Sequence, residues 1–409
     1  MAREMKDSRV EWIGEIPREW KTIKNKYMLN IKKAKLPSEF FTDSNYIPYM
    51  SMEYIRNPSI TPLYAKDGDF CSKEDILLLW DGSNAGEIIF NHPEGFAPST
   101  TAILKQKRNM NKIFFQYYLK FFEKHLKNNS VGMGIPHVNG DILKNSLFLV
   151  PPLEEQEKIA NYLDKKVSDI DLIIEKTKAT IEDYKKYKQS IITEAVTKGI
   201  NPNVEMKDSG IEWIGEIPRE WEVKKLKNIV NIRNEKYMDK FGKIKYYGLE
   251  NIESKSGKYI VTENIYDISQ SLICKKGDLI FGKLRPYLAK AYLITEDISC
   301  CSSEFAIFYA KEQEKIEFIK FLFLSIYFIE IVNSSTYGTK MPRANIEFIE
   351  NIKVPVPPLK EQNQIAEYLD KKTTEIDTLI TKKEALIAEL EEYKKSLIYE
   401  CVTGKKEIK

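Results

Sequence analysis

Two stretches of the chain repeat apolar residues at steps of three and four and contain no internal Gly or Pro. The first follows Pro152 and runs Ala160, Leu163, Val167, Ile170, Ile174, Thr177, Ile181, Tyr184, Lys188, Ile191, Ala195. The second follows Pro358 and runs Ala366, Leu369, Thr373, Ile376, Ile380, Lys383, Ile387, Leu390, Lys394, Leu397, Cys401. This spacing predicts two long helices, each with a narrow heptad seam that requires a partner helix. The residues from Glu154 to Thr197 would span roughly 66 Å at ~1.5 Å per residue. Connectivity predicts that the two helices pair antiparallel, with the intervening domains at opposite ends. A coiled coil that only joins two chains is the plainer alternative.

The remaining sequence has a different texture. Short runs rich in Ile, Tyr, Phe and Leu, broken by Gly, Pro, Asn and Asp, predict strands and turns. Phe114–Phe122 and Lys320–Phe328 predict one aromatic-rich helix in each half, with its rings in the core.

The two textures alternate because the chain repeats itself. Met5–Trp20 (MKDSRVEWIGEIPREW) and Met206–Trp221 (MKDSGIEWIGEIPREW) agree at 14 of 16 positions at an offset of 201. From Pro151 and Pro357 onward, 25 of 48 positions agree at an offset of 206. The expected domains are therefore 1–149 with the box 5–20, a helix over 150–200, 201–355 with the repeated box 206–221, and a helix with tail over 356–409. The predicted fold class is α+β: two pseudo-repeated, strand-rich domains joined by two long antiparallel coiled-coil helices.

Composition narrows the function. The chain has 63 Lys+Arg against 60 Asp+Glu, which excludes a polycation and an acidic tail. The longest predominantly apolar stretch, Phe321–Ile329, is far below the roughly 20 residues of a membrane span. Met1–Ser8 is charged and lacks an apolar core, so no secretion signal and a cytoplasmic location are expected. Cys71, Cys274, Cys300, Cys301 and Cys401 form no C-x-x-C pair, and His92, His125 and His137 form no cluster, so no metal site is expected. Every Gly-Lys pair lacks a following Ser or Thr, which removes a P-loop. There is no N/D-P-P-Y/F loop, no G-x-G-x-x-G element and no G-x-S-x-G elbow. An independent enzyme, including a fused methyltransferase or nuclease, is not expected.

Charge divided by segment points to a polyanion. Residues 21–150 carry five more basic than acidic side chains and residues 221–356 carry four more; all other segments together are net negative. Candidate DNA contacts are Lys33, Lys35, Lys105 and Lys107 in the first domain and Lys283, Arg285, Lys340 and Arg343 in the second. The turn after Ile76–Trp80 offers Ser83 and Asn84, where its counterpart offers Lys283 and Arg285. Asn suits adenine and Arg suits guanine, so the two turns suit two sequences; ordinary turn chemistry is the alternative. Ile135–Asn139 and Met341–Asn345 keep Asn but exchange His137 for Arg343, as phosphate anchors would allow.

The repeated W-I-G-E-I-P-x-x-W box, the repeated P-P-L-x-E-Q-x-x-I-A-x-Y-L-D helix start (Pro151–Asp164, Pro357–Asp370) and G-D-L-I-F-G-K-L-R-P-Y at Gly277–Tyr287 resemble the specificity subunits of type I restriction-modification systems. The resemblance covers essentially the whole chain. It implies a non-catalytic subunit with two target recognition domains, each reading one half of a bipartite, asymmetric double-stranded DNA sequence. It implies two modification (methyltransferase) subunits on the helices and restriction (endonuclease/translocase) subunits in the same complex, with S-adenosylmethionine, ATP and Mg on those partners and no cofactor here. Gln156, Tyr162 and Asp164 recur as Gln362, Tyr368 and Asp370, and are the expected partner surface. Lys73-Glu74-Asp75 stands where the second half has Lys276-Gly277-Asp278, a departure from strict repetition. The alternative is a DNA-binding coiled-coil scaffold or regulator acting without methyltransferase partners.

Overall fold

A computed structural model describes residues 3–237, 244–262, 271–338 and 340–408. The chain forms two compact units: residues 1–176 with 385–409, and residues 177–384. Each unit holds one strand-rich domain and half of each long helix, a division that cuts the helices at mid-length and so differs from a split at the helix starts.

The long helices span Leu153–Lys198 and Leu359–Val402. Every seam position named above is buried or half-buried. In the first unit, Lys394 Nζ meets Asp171 at 2.6 Å, and Lys406 lies over Tyr162. In the second, Lys188 Nζ meets Asp377 at 2.8 Å, and Lys383 lies over Tyr184. As numbers fall along one helix they rise along the other, so the helix halves in each unit run antiparallel. Lys188 is 5% exposed, and a buried ion pair in an apolar seam favours one register over its neighbours.

The strand-rich domains are built alike. In the first unit, Thr101–Gln106 lies between Leu29–Lys33 and Ile76–Leu79, with Ile88–Ile89 at the edge. In the second, Phe305–Ala310 lies between Val230–Arg233 and Leu279–Gly282, with Ala291–Leu293 at the edge. These central strands read as continuous apolar runs because both faces are covered. A smaller sheet in each domain contains one parallel pair, at Tyr49–Phe96 and at Tyr246–Cys300.

The repeated boxes are short antiparallel hairpins, 5–7 with 15–17 and 206–208 with 216–218. Each ends in a fully buried tryptophan whose indole N–H donates to a carboxylate at a long-helix start: Trp20 to Glu155 and Trp221 to Glu361, both at 2.8 Å. The opposite helix end closes over the same ring. Gly404 (φ +72°) lies against Pro17 and Trp20, and Gly199 (φ +78°) against Pro218 and Trp221; a Cβ on Gly404 would come within 2.5 Å of Pro17. Glycine therefore serves both as left-handed helix cap and as the surface the indole packs on. Met1 and Lys409, which antiparallel helices are expected to bring near each other, lie outside the described residues.

One element departs from expectation. The first aromatic helix is continuous over Lys112–Asn128, but its counterpart is two helices, Ile316–Leu324 and Ile326–Ser334. Ser325 is extended and its hydroxyl donates to the Leu322 carbonyl. The freed amide of Ile326 donates to Thr193 Oγ1 at 3.1 Å. A side chain from the long helix thus satisfies the donor that the break exposes.

Among the described residues no helix is long and apolar enough to cross a membrane, and no group of three or more His, Cys, Asp or Glu is placed to hold a metal. All five cysteines are buried and free.

Candidate nucleic-acid interface

The two loops singled out in each half come together. In the first domain, the Gly82 amide donates to the Pro136 carbonyl (2.9 Å) and the Val138 amide to the Trp80 carbonyl (2.9 Å). Val131 and His137 close the second loop with reciprocal backbone bonds of 2.9 and 2.8 Å. In the second domain, the Arg285 amide donates to the Pro342 carbonyl (2.7 Å) and the Ala344 amide to the Lys283 carbonyl (2.8 Å). Tyr337 and Arg343 close that loop in the same way. Peptide groups make all of these bonds, so side chains on the tips are free to differ.

They do differ. The first cluster presents exposed Ser83, Asn84 and His137. The second presents exposed Arg285 and Lys340, with Lys283 and Arg343 half-buried beside them. The backbone equivalence keeps the offset of 203 that sets Lys73 opposite Lys276: Arg285 stands where the first domain has Gly82, and Ala289 where it has Gly86, with the Ala85 and Leu288 amides donating to the Gly82 and Arg285 carbonyls alike. All four have positive φ, at +116° and +96° for the glycines and +53° and +46° for Arg285 and Ala289. A non-glycine residue held there costs of order 1 kcal/mol, and such strain concentrates at functional loops.

The candidate cations are not all free. Lys33 pairs with Asp81 at 3.0 Å and lies over Trp80; Lys105 pairs with Asp75 at 3.1 Å; Lys107 donates to the Lys26 carbonyl at 3.0 Å. Arg343 pairs with Glu304 at 2.9 Å. Burial holds the Lys283 ammonium below the ordinary lysine range, with Glu304 opposing that shift. Lys35, Arg285 and Lys340 have no ion-pair partner among the described residues, and Arg285 and Lys340 are the cations on the second cluster that remain available to phosphate or base. Sequence marks Asp81 only as a turn residue and does not mark Glu304, because Lys33 and Arg343, their ion-pair partners, lie far along the chain and no local spacing joins them.

The expected partner surface needs a correction. Gln156 and Gln362 are 3% and 1% exposed. Gln156 accepts from the Asn111 amide (2.9 Å) and donates to the Pro151 carbonyl (2.8 Å). Gln362 accepts from the Lys315 amide (2.8 Å) and donates to Glu314 and the Pro357 carbonyl. They fasten each long helix to its own domain, so neither faces a partner. Asp164, Tyr368 and Asp370 are exposed, and Tyr162 is half-buried beneath Lys406. Lys320 reaches Asp370 at 3.7 Å.

Known proteins place this architecture. The family described as the type I restriction modification DNA specificity domain matches residues 17–183 and 218–391, once in each half. The MjaVIII specificity subunit of Methanocaldococcus jannaschii is 33% identical over 96% of this chain and 94% of its own length. The EcoDI specificity subunit of Escherichia coli is 23% identical over 96% and 89%. A chain from a solved structure addressing complex assembly and conformational transition of the type I R-M system superposes with a TM-score of 0.70 at 14% identity, covering 96% of this chain and 99% of that one. The HsdS subunit of Thermoanaerobacter tengcongensis gives 0.50 at 15%, covering 98% and 100%; both likenesses concern the fold. The chain belongs to the type I restriction-modification DNA specificity family. It is a specificity subunit with two recognition domains, a DNA-recognition component without catalysis of its own.

Proposed function

We propose that the two loop clusters each read one half of a bipartite, asymmetric duplex DNA target, and that the long helices carry two modification subunits, with restriction subunits joining the same assembly. The observation that supports this most is the loop pair itself: one backbone frame occurs twice and carries neutral hydrogen-bonding groups in one copy and cations in the other. On this reading Ser83, Asn84 and His137 face the first half-site, and Arg285, Lys340, Lys283 and Arg343 the second. Lys33, Lys35, Lys105 and Lys107 contribute phosphate attraction, weakened at Lys33 and Lys105 by their carboxylates. Asp164, Tyr368 and Asp370 are the partner contacts, while Tyr162 is covered by Lys406. S-adenosylmethionine, ATP and Mg belong to the partner subunits, and the complex works in the cytoplasm, where its DNA is.

The test is a chimaera in cells that also express the modification subunit. Replacing Gly82–Asn84 by Arg-Pro-Tyr and His137 by Arg copies the second cluster onto the first frame. Mapping methylated adenine across the genome should return a target changed in one half only. An unchanged target would remove these loops from recognition, and a chain that binds DNA without directing methylation would favour the scaffold alternative.

A further inference from the structure

The end of each long helix forms a site with the repeated box, and the two copies of that site are filled differently. In the first unit Lys406 lies over Tyr162, its Nζ 5.4 Å from the ring centroid. The Lys406 amide donates to the Glu400 carbonyl at 3.1 Å, which folds the tail back beyond Gly404, and Ile408 packs on the apolar core of that unit.

In the second unit the same residue types recur: Tyr368 for Tyr162, Glu194 for Glu400 and Glu216 for Glu15. The chain leaves this helix by another course, through Gly199 to Val204, and no described lysine or arginine stacks on Tyr368. A cleft of about 520 Å³ remains, lined by Tyr368, Glu194, Glu216, Lys198 and Met206 among others. Tyr368 is 36% exposed. Glu194 and Glu216 have no ion-pair partner among the described residues, and they outnumber Lys198. An aromatic face beside two carboxylates suits a cation, and in the first unit a lysine, Lys406, lies over the equivalent ring.

We infer that this open cleft seats a lysine of the modification subunit on the Tyr368 ring, with Glu194 and Glu216 as counter-ions, as Lys406 sits on Tyr162. The inference rests on the proposed placement of modification subunits on the helices. It makes the two helix-end sites unequal: one is closed by the chain's own tail, and the other is completed by a partner.

The experiment uses the full-length chain assembled with its cognate modification subunit. Treatment with a carbodiimide, which joins carboxylates directly to amines, followed by peptide mass spectrometry, should link Glu194 or Glu216 to a modification-subunit lysine. Links only to Lys198 of the same chain would overturn the inference. In parallel, Tyr368→Leu and the double variant Glu194→Gln/Glu216→Gln should each weaken modification-subunit binding by about tenfold, while Tyr368→Phe keeps wild-type affinity. Wild-type affinity in both weakened variants, with two modification subunits still bound, would overturn the lysine site and leave the proposed function standing. A wild-type chain that binds no modification subunit brings down both.

Discussion

The two loop clusters set one frame under two chemistries. Backbone hydrogen bonds hold Gly82 to Pro136 and Arg285 to Pro342 in the same way, yet one cluster is neutral and the other cationic. The first frame has glycine at both left-handed positions, whereas the second has Arg285 and Ala289 there. The difference teaches that backbone hydrogen bonding sets loop shape while the tip residues are free to differ, and that the second domain tolerates strain to place an arginine at the tip.

The largest expected effect removes what the domains share. Trp20→Ala or Trp221→Ala empties a fully buried site and removes an indole donor from Glu155, which keeps Arg3, or from Glu361; each should cost about 3–5 kcal/mol, measured by urea unfolding. A loss under 1 kcal/mol at either position would make the boxes non-equivalent. Next is the arginine that the second cluster alone presents. Arg285→Ala should lower discrimination at the second half-site by about 1–3 kcal/mol and leave the first half-site untouched, measured by competition binding with singly altered duplexes. Arg285→Gly should lose the same discrimination yet stabilise the fold by roughly 0.5–1 kcal/mol through relief of the positive φ; a less stable protein would deny that strain. The converse change, Gly86→Ala, places a Cβ 2.9 Å from the Lys127 amide and should destabilise by ~1 kcal/mol or more. Smallest is the contrast of phosphate contacts. Lys340→Ala should flatten the salt dependence of DNA binding by about one unit of slope, and Lys33→Ala, whose charge Asp81 already offsets, by much less. Equal slopes would show that the ion pair opens on DNA.

Much of this was legible in the chain. Every heptad seam position from Ala160 to Cys401 is buried or half-buried, because a period of three and four is a direct image of one helix face; the further buried residues, such as Ile192, Val196 and Ile365, lie where the domains pack on the helices. The repeated loops were also visible, although their contact with each other was not: that pairing depends on strands far apart in sequence. Gln156 and Gln362 misled for a physical reason. A polar residue repeated on a helix reads as surface, but here each caps a neighbouring element from inside the core, a role that depends on the Asn111 and Lys315 amides. The broken second aromatic helix was equally hidden, since Ser325 alone is a weak breaker and Thr193 completes the break from elsewhere in the chain.

The cross-helix ion pairs carry a consequence for the repeat. Lys188 and Asp171 lie on one helix, Lys394 and Asp377 on the other, and each lysine meets the aspartate of the opposite helix. Each helix therefore bears both halves of the contact, as a surface complementary to its own reversed copy must. A single repeat thus encodes a self-complementary, isologous seam, so two copies of it joined in tandem need no further interface to pair.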